Sequence, residues 1–128
     1  MAQLVDLVFR HGVIPVLKQF NPELILVSAG FDAFDGDPLG GMKVSAEGFA
    51  RLTTMIARVA DECCHGRLVA MTEGGYDLGG LAACTRAAIE VLAGERPDRR
   101  DEAPAGSTRR GEATLDALLP VQRPYWSL

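Results

Sequence analysis

The chain has 128 residues, 48% of them apolar and 23% charged, the composition of one small globular domain with a real core. Its 13 basic and 17 acidic residues leave a net charge of −4, the wrong sign for a surface dedicated to phosphates, which speaks against direct nucleic-acid binding. No apolar run approaches the about 20 residues of a membrane-spanning helix, and the start carries an early acid (Asp6) where a signal peptide would carry basic residues.

In chain order, residues 4–20 place Leu4, Val5, Val8, Phe9, Val13, Val16, Leu17 and Phe20 at three- and four-residue spacings. Gly12 and Pro15 interrupt that pattern, so it predicts a helix broken or kinked near Val13. Asn21-Pro22 is a stop-and-turn signal. Leu24-Ile25-Leu26-Val27 is a short, branched apolar run that suits a strand buried on both faces of a parallel sheet. A Gly- and Asp-rich loop follows, residues 28–41. Ser45 then predicts an N-cap, with Glu47 in the first turn and Phe49, Leu52, Ile56, Val59 and Ala60 at helical spacing up to Cys64–Gly66.

Leu68-Val69-Ala70-Met71 predicts a second buried strand, residues 72–80 a second glycine-rich loop, and residues 81–92 a helix closed by Gly94. Residues 95–112 are rich in Arg, Asp, Glu, Pro and Gly and predict an exposed linker. Residues 113–128 recover apolar character in Leu115, Leu118, Leu119, Val121, Tyr125 and Trp126, which predicts a tail packed back on the core of residues 1–94. The order is that of an α/β layered fold with a parallel strand pair and a right-handed crossover. Both glycine-rich loops leave the carboxyl ends of strands, where ligand sites of open α/β sheets gather. Two strands make a meagre sheet for such a fold, which reads as part of a domain.

The three cysteines, Cys63, Cys64 and Cys84, form no Cys-x-x-Cys pair. They predict neither a disulfide framework nor a thiolate zinc site, and fit small buried residues of a reducing cytoplasm.

The first loop holds Asp32, Asp35 and Asp37. Such residues cap turns through their side chains, or one of them holds a hard or borderline cation. The far-end Glu of a calcium loop is missing, and neither loop has the glycine order of a phosphate cradle. Tyr76, directly after Gly74-Gly75, is either a packing residue or a phenol that donates to a developing oxyanion.

Together, Ser28-Ala29-Gly30-Phe31-Asp32-Ala33, Gly36-Asp37-Pro38-Leu39-Gly40-Gly41 and Glu73-Gly74-Gly75-Tyr76-Asp77-Leu78 resemble the zinc-dependent deacetylase family of histone deacetylases and acetylpolyamine amidohydrolases. The resemblance runs from about Val8 to Leu92, and the Tyr125-Trp126 pair is similar to the class II and bacterial branch. It implies the arginase-like three-layer αβα fold, of which this chain would be the carboxyl-terminal portion.

The resemblance also makes Asp37 a carboxylate ligand of Zn2+ and Tyr76 the phenol that polarises the acetyl carbonyl. Gly74 and Gly75 would shape the wall of the acyl-lysine tunnel, with Val44 on its rim. Asp32, Asp35 and Glu73 are implied to support the loops, and Phe34 stands where many relatives have His or a small residue. The substrate implied is an acetylated lysine or polyamine. An Asp-x-His segment and a tandem His pair, which the family uses for metal binding and acid–base work, are absent. His11 and His65 read as surface or capping residues.

The expectation is therefore a deacetylase portion that is inactive alone. The alternative is a non-catalytic remnant or split half that joins an amino-terminal half or a second copy of itself. An unrelated α/β module holding Mg2+ or Ca2+ in the acidic loop is a third reading.

Overall fold

A computed structural model describes residues 2–95 and 109–128. Helix α1 (Ala2–Val8) passes through a π-helical turn (Phe9–Val13) into α2 (Ile14–Phe20). The break expected near Val13 is this turn, in which the Ile14 N–H donates to Phe9 O, five residues back. Pro15 follows in the first turn of α2. A proline ring clashes with the preceding turn of a straight helix, and the wider π turn makes room for it. Asn21 ends α2 in the left-handed conformation at φ 52°.

Strand β1 (Ile25–Ala29) pairs in parallel with β2 (Leu68–Thr72), Ile25 opposite Leu68 and Ala29 opposite Thr72. Helix α3 (Ala46–Cys64) makes the crossover between them. Its Ser45 Oγ accepts the Gly48 N–H at 3.1 Å, the cap expected from sequence, and His65 closes it in the left-handed conformation. Helix α4 (Leu78–Leu92) begins earlier than the residue-81 start expected, because the Asp77 carboxylate accepts the Gly80 N–H and draws Gly79 and Gly80 into the first turn. Gly94, at φ 98°, follows its end as expected.

One face of the sheet holds the core. Ile25, Val59, Ala60 and Cys64 are buried together, with Ile14, Leu17, Val27 and Leu68 packed against them. Towards the carboxyl ends of the strands, Phe31, Val44, Phe49 and Cys84 form a second cluster, joined by Val5, Ala29, Leu81 and Ala88. The Phe31 and Phe49 rings meet edge to face at 5.2 Å. All three cysteines are free; Cys64 and Cys84 are buried, and burial pushes the Cys84 thiol up. Among the described residues no helix is long and apolar enough to cross a membrane.

The expectation of strands buried on both faces is corrected by the structure. Side chains alternate along a strand, so Leu26, Ser28, Val69 and Met71 share the face opposite Ile25, Val27 and Leu68. That second face is bare: Leu26 is 63% and Met71 51% exposed. The described residues thus supply a sheet and one helical layer of the three-layer arrangement.

Helix α5 (Arg109–Gln122) packs on α1 and on the π turn, with Leu118 against Gly12. Gln19 and Ser127 exchange two hydrogen bonds at 2.9 and 3.0 Å, which ties the end of the chain to α2. Of the stretch read as a linker, residues 96–108 lie outside the described residues, and Arg109–Glu112 are the first turn of α5.

Candidate active site

The carboxyl ends of β1 and β2 open into two loops, residues 30–45 and 73–77, that run against each other. The Phe31 N–H donates to Gly74 O at 2.8 Å and the Glu73 N–H to Ala29 O at 3.1 Å, so the parallel pairing is carried past the ends of the strands. Within the first loop, Phe34 and Val44 form a bridge: the Val44 N–H donates to Ala33 O and the Asp35 N–H to Val44 O, each at 3.0 Å. The bridge pins residues 34–44 as a closed lobe with Asp37 at its heart.

Asp37 is 9% exposed. Its Oδ1 accepts the N–H groups of Leu39 at 2.9 Å and Gly40 at 3.0 Å, and its Oδ2 accepts the N–H of Tyr76 at 2.8 Å. Burial acts to raise its carboxyl, but the backbone N–H groups of Tyr76, Leu39, Gly40 and Asp77 outweigh it and hold the group below its ordinary 3.8. The carboxylate is therefore an anion fixed in place by peptide dipoles. Of the two readings of the acidic loop, the turn cap is the one seen here, with Asp37 Oδ1 on the N–H groups two and three residues on.

Tyr76 follows directly on Gly74-Gly75. Gly75 lies at φ 136°, a backbone conformation closed to other residues in practice, and it turns the chain so that the Tyr76 N–H meets Asp37. Tyr76 itself is 58% exposed. The structure thus brings Asp37, Gly74, Gly75 and Tyr76 to one edge of the sheet. Val44, read as a rim residue, is 2% exposed in the second core cluster, where Phe31 and Phe49 surround it. Its side chain packs the base of the loop here and lines no open surface.

Asp32 lies against Gly74 and supports the meeting of the loops, while Asp35 and Glu73 are exposed. The role of Asp77 is not apparent from sequence: its side chain caps α4 while its N–H joins the group around Asp37. Its signal, an Asp three residues ahead of Gly80, is masked by the glycines around it. Phe34 carries no sequence signal beyond loop packing. Its ring lies over Gly80, so close that a Cβ at that position would overlap it.

His11 lies in the π turn and His65 caps α3, and both are exposed. Among the described residues no group of three His, Cys, Asp or Glu side chains is placed to hold a metal ion. Catalytic zinc takes three protein ligands. Asp37 suits one of those places, and the described residues do not complete the set.

The histone deacetylase domain family matches residues 2–92. Histone deacetylase 15 of Arabidopsis thaliana is 38% identical over 120 residues, covering 92% of this chain and 21% of its own length. The polyamine deacetylase HDAC10 of Homo sapiens is 36% identical over 118 residues, covering 92% of this chain and 17% of its own. The crystal structure of the HDA15 HD domain superposes with a TM-score of 0.83 at 33% identity, over 98% of this chain and 32% of that one. The chain spans about a fifth of these two curated relatives. With the two loops, their order along the chain and the parallel pair that presents them all in agreement, the chain belongs to the histone deacetylase family.

Proposed function

We propose that this chain is the carboxyl-terminal portion of a zinc-dependent deacetylase domain that hydrolyses acetyl-amide bonds of lysine or a polyamine. The observation that carries the reading is the 2.8 Å hydrogen bond from the Tyr76 N–H to Asp37 Oδ2, which places the two residues of the family's motifs at one edge. In this reading Asp37 is one zinc ligand, held anionic and oriented by backbone N–H groups. The Tyr76 phenol, on an exposed residue of the neighbouring loop, donates to the acyl oxygen as charge develops on it. Gly74 and Gly75 form the wall along which an extended acyl chain lies. Zinc, when bound, lowers the pKa of water and polarises the amide carbonyl. The other two ligands and the acid–base groups come from outside this chain, which is inactive by itself.

Turnover of an acetyl-lysine peptide and of an acetylpolyamine tests this, measured for the chain alone and for the chain substituted for the matching segment of the HDA15 HD domain. No turnover is expected alone. In the chimera Tyr76→Phe should lower kcat about 100- to 1,000-fold. Robust turnover by the isolated chain, lost on Tyr76→Phe, would overturn the need for outside groups. The bare second face of the sheet favours one further reading, in which the chain is a split half or remnant that works only with a partner chain.

A further inference from the structure

The core of this chain is in two parts, and a cavity of about 160 Å³ is lined from both. Val27, Ile56 and Leu68, packed against the first cluster, face it together with Ala29, Phe31 and Phe49 of the second. The void has a cause in the sequence. Ala29 and Ala70 on the strands and Ala88 on α4 line it, where larger apolar side chains would fill it. Leu92, 41% exposed at the end of α4, stands where the cavity meets solvent. Neither Asp37 nor Tyr76 lines it.

What can sit there follows from the polar atoms within reach. Thr53 lines the cavity, but its hydroxyl already donates to Phe49 O at 2.8 Å. Ser28 contributes from β1, with its side chain on the opposite face of the sheet. Among the described residues, the buried side-chain nitrogen and oxygen atoms without a hydrogen-bond partner are Asp6 Oδ1 and Arg51 Nε, and neither residue lines the cavity. A buried water needs about two to four polar partners, and these walls offer no free side-chain one. A dry apolar cavity of about 150 Å³ takes benzene or xenon.

We propose that the cavity between the sheet and α3 is a binding site for one small uncharged hydrocarbon, up to the size of a benzene ring. The occupant lies against Phe31 and Phe49, whose rings already meet edge to face. Through Phe31 it borders the N–H that donates to Gly74 O, the contact at which the two loops of the candidate active site meet. Occupancy joins the two core clusters and steadies the end of β1 from which the Asp37 loop leaves.

The test titrates benzene into the isotopically labelled 128-residue chain and into the HDA15 chimera, with methyl resonances followed by NMR. Saturable shifts are expected at Val27, Ala29 and Ala88, and none at Leu26 and Met71 on the bare face of the sheet. Benzene at about tenfold above its Kd should raise Tm by about 3 °C or more. Phenol, whose hydroxyl finds no partner, should bind about tenfold more weakly at least. Ala88→Leu extends a side chain into the space from α4 and should abolish the shifts, with Tm unchanged or higher. Ala70→Leu should do the same from the sheet. Absence of saturable shifts overturns the proposal, as does binding that survives both substitutions. Failure of both variants to fold would show that there is no room to fill and overturn it equally. Shifts in the free chain that vanish in the chimera would make side chains of the rest of that domain the occupant, and would also overturn it. Phenol binding as tightly as benzene would show a polar site and reject the hydrocarbon.

Discussion

The Tyr76 N–H donates to Asp37 Oδ2 across a sequence separation of 39 residues, so the peptide group of one candidate residue fixes the carboxylate of the other. The link runs through the backbone of Tyr76 and does not engage its phenol. Tyr76→Phe in the free chain should accordingly shift Tm by no more than about 1 °C, measured by circular dichroism. A marked drop would mean that the phenol packs the loops and is not held in reserve for a substrate.

Asp37→Asn tests the other side of the link. An amide keeps one acceptor oxygen but turns an N–H2 group toward backbone donors, so Tm should fall at neutral pH. Because the folded carboxyl lies below 3.8 and the unfolded one near it, the stabilisation is complete above 3.8 and is lost as pH falls through the lower, folded value. The Tm gap between wild type and Asp37→Asn should therefore be constant from neutral pH down to mild acid and close only below 3.8. A gap that closes nearer neutrality would place the titration elsewhere.

Phe34 of the first loop and Gly80 in the first turn of α4 form a second clasp beside the site. Gly80→Ala should destabilise by about 1–3 kcal/mol, since the ring must move for the methyl group to fit. In a double-mutant cycle with Phe34→Ala, the combined cost should fall short of the sum by at least about 1 kcal/mol. Additive costs would show that the contact is slack.

Zinc titration of the free chain by calorimetry should show no stoichiometric site, because among the described residues no group of three His, Cys, Asp or Glu side chains is placed to hold a metal ion. A one-to-one site retained in Asp37→Asn would point to ligands elsewhere in the chain. A site lost in that variant would revive the reading of the acidic loop as a self-sufficient cation holder.

Much of this is legible in the residues, and the reasons for the rest differ. The Leu24-Ile25-Leu26-Val27 run marks a strand, but the side of it that water reaches depends on what lies against the sheet, which a local run does not encode. The contrast is measurable: Val59→Ala, at 0% exposure, should cost roughly 1–3 kcal/mol, and Leu26→Ala, at 63%, within about 0.5 kcal/mol of nothing. The start of α4 is hidden because two glycines argue against a helix, and a capping carboxylate outweighs them. The motifs around Asp37 and Tyr76 are readable because the roles proposed for them need particular residue types. Asp77 and Phe34 act through a backbone N–H and a ring contact, which leave weaker traces in sequence.

The π turn at Phe9–Val13 bears on how this segment tolerates changes of length. A turn that closes five residues apart, where an α-helix closes four apart, stores one surplus residue without rotating the helix beyond it. Val5 ahead of it and Ile14 and Leu17 after it therefore reach the two core clusters from one continuous helical path. Deleting a single residue within the turn would keep both sets of contacts in phase but would place Pro15 inside an ordinary helix, where its ring clashes with the preceding turn. Deleting one from α2 itself, between Ile14 and Leu17, would swing the two about 100° relative to each other around the axis and cost one of them its place. The turn is thus what lets this stretch carry one surplus residue and Pro15 while both sets of core contacts stay in phase.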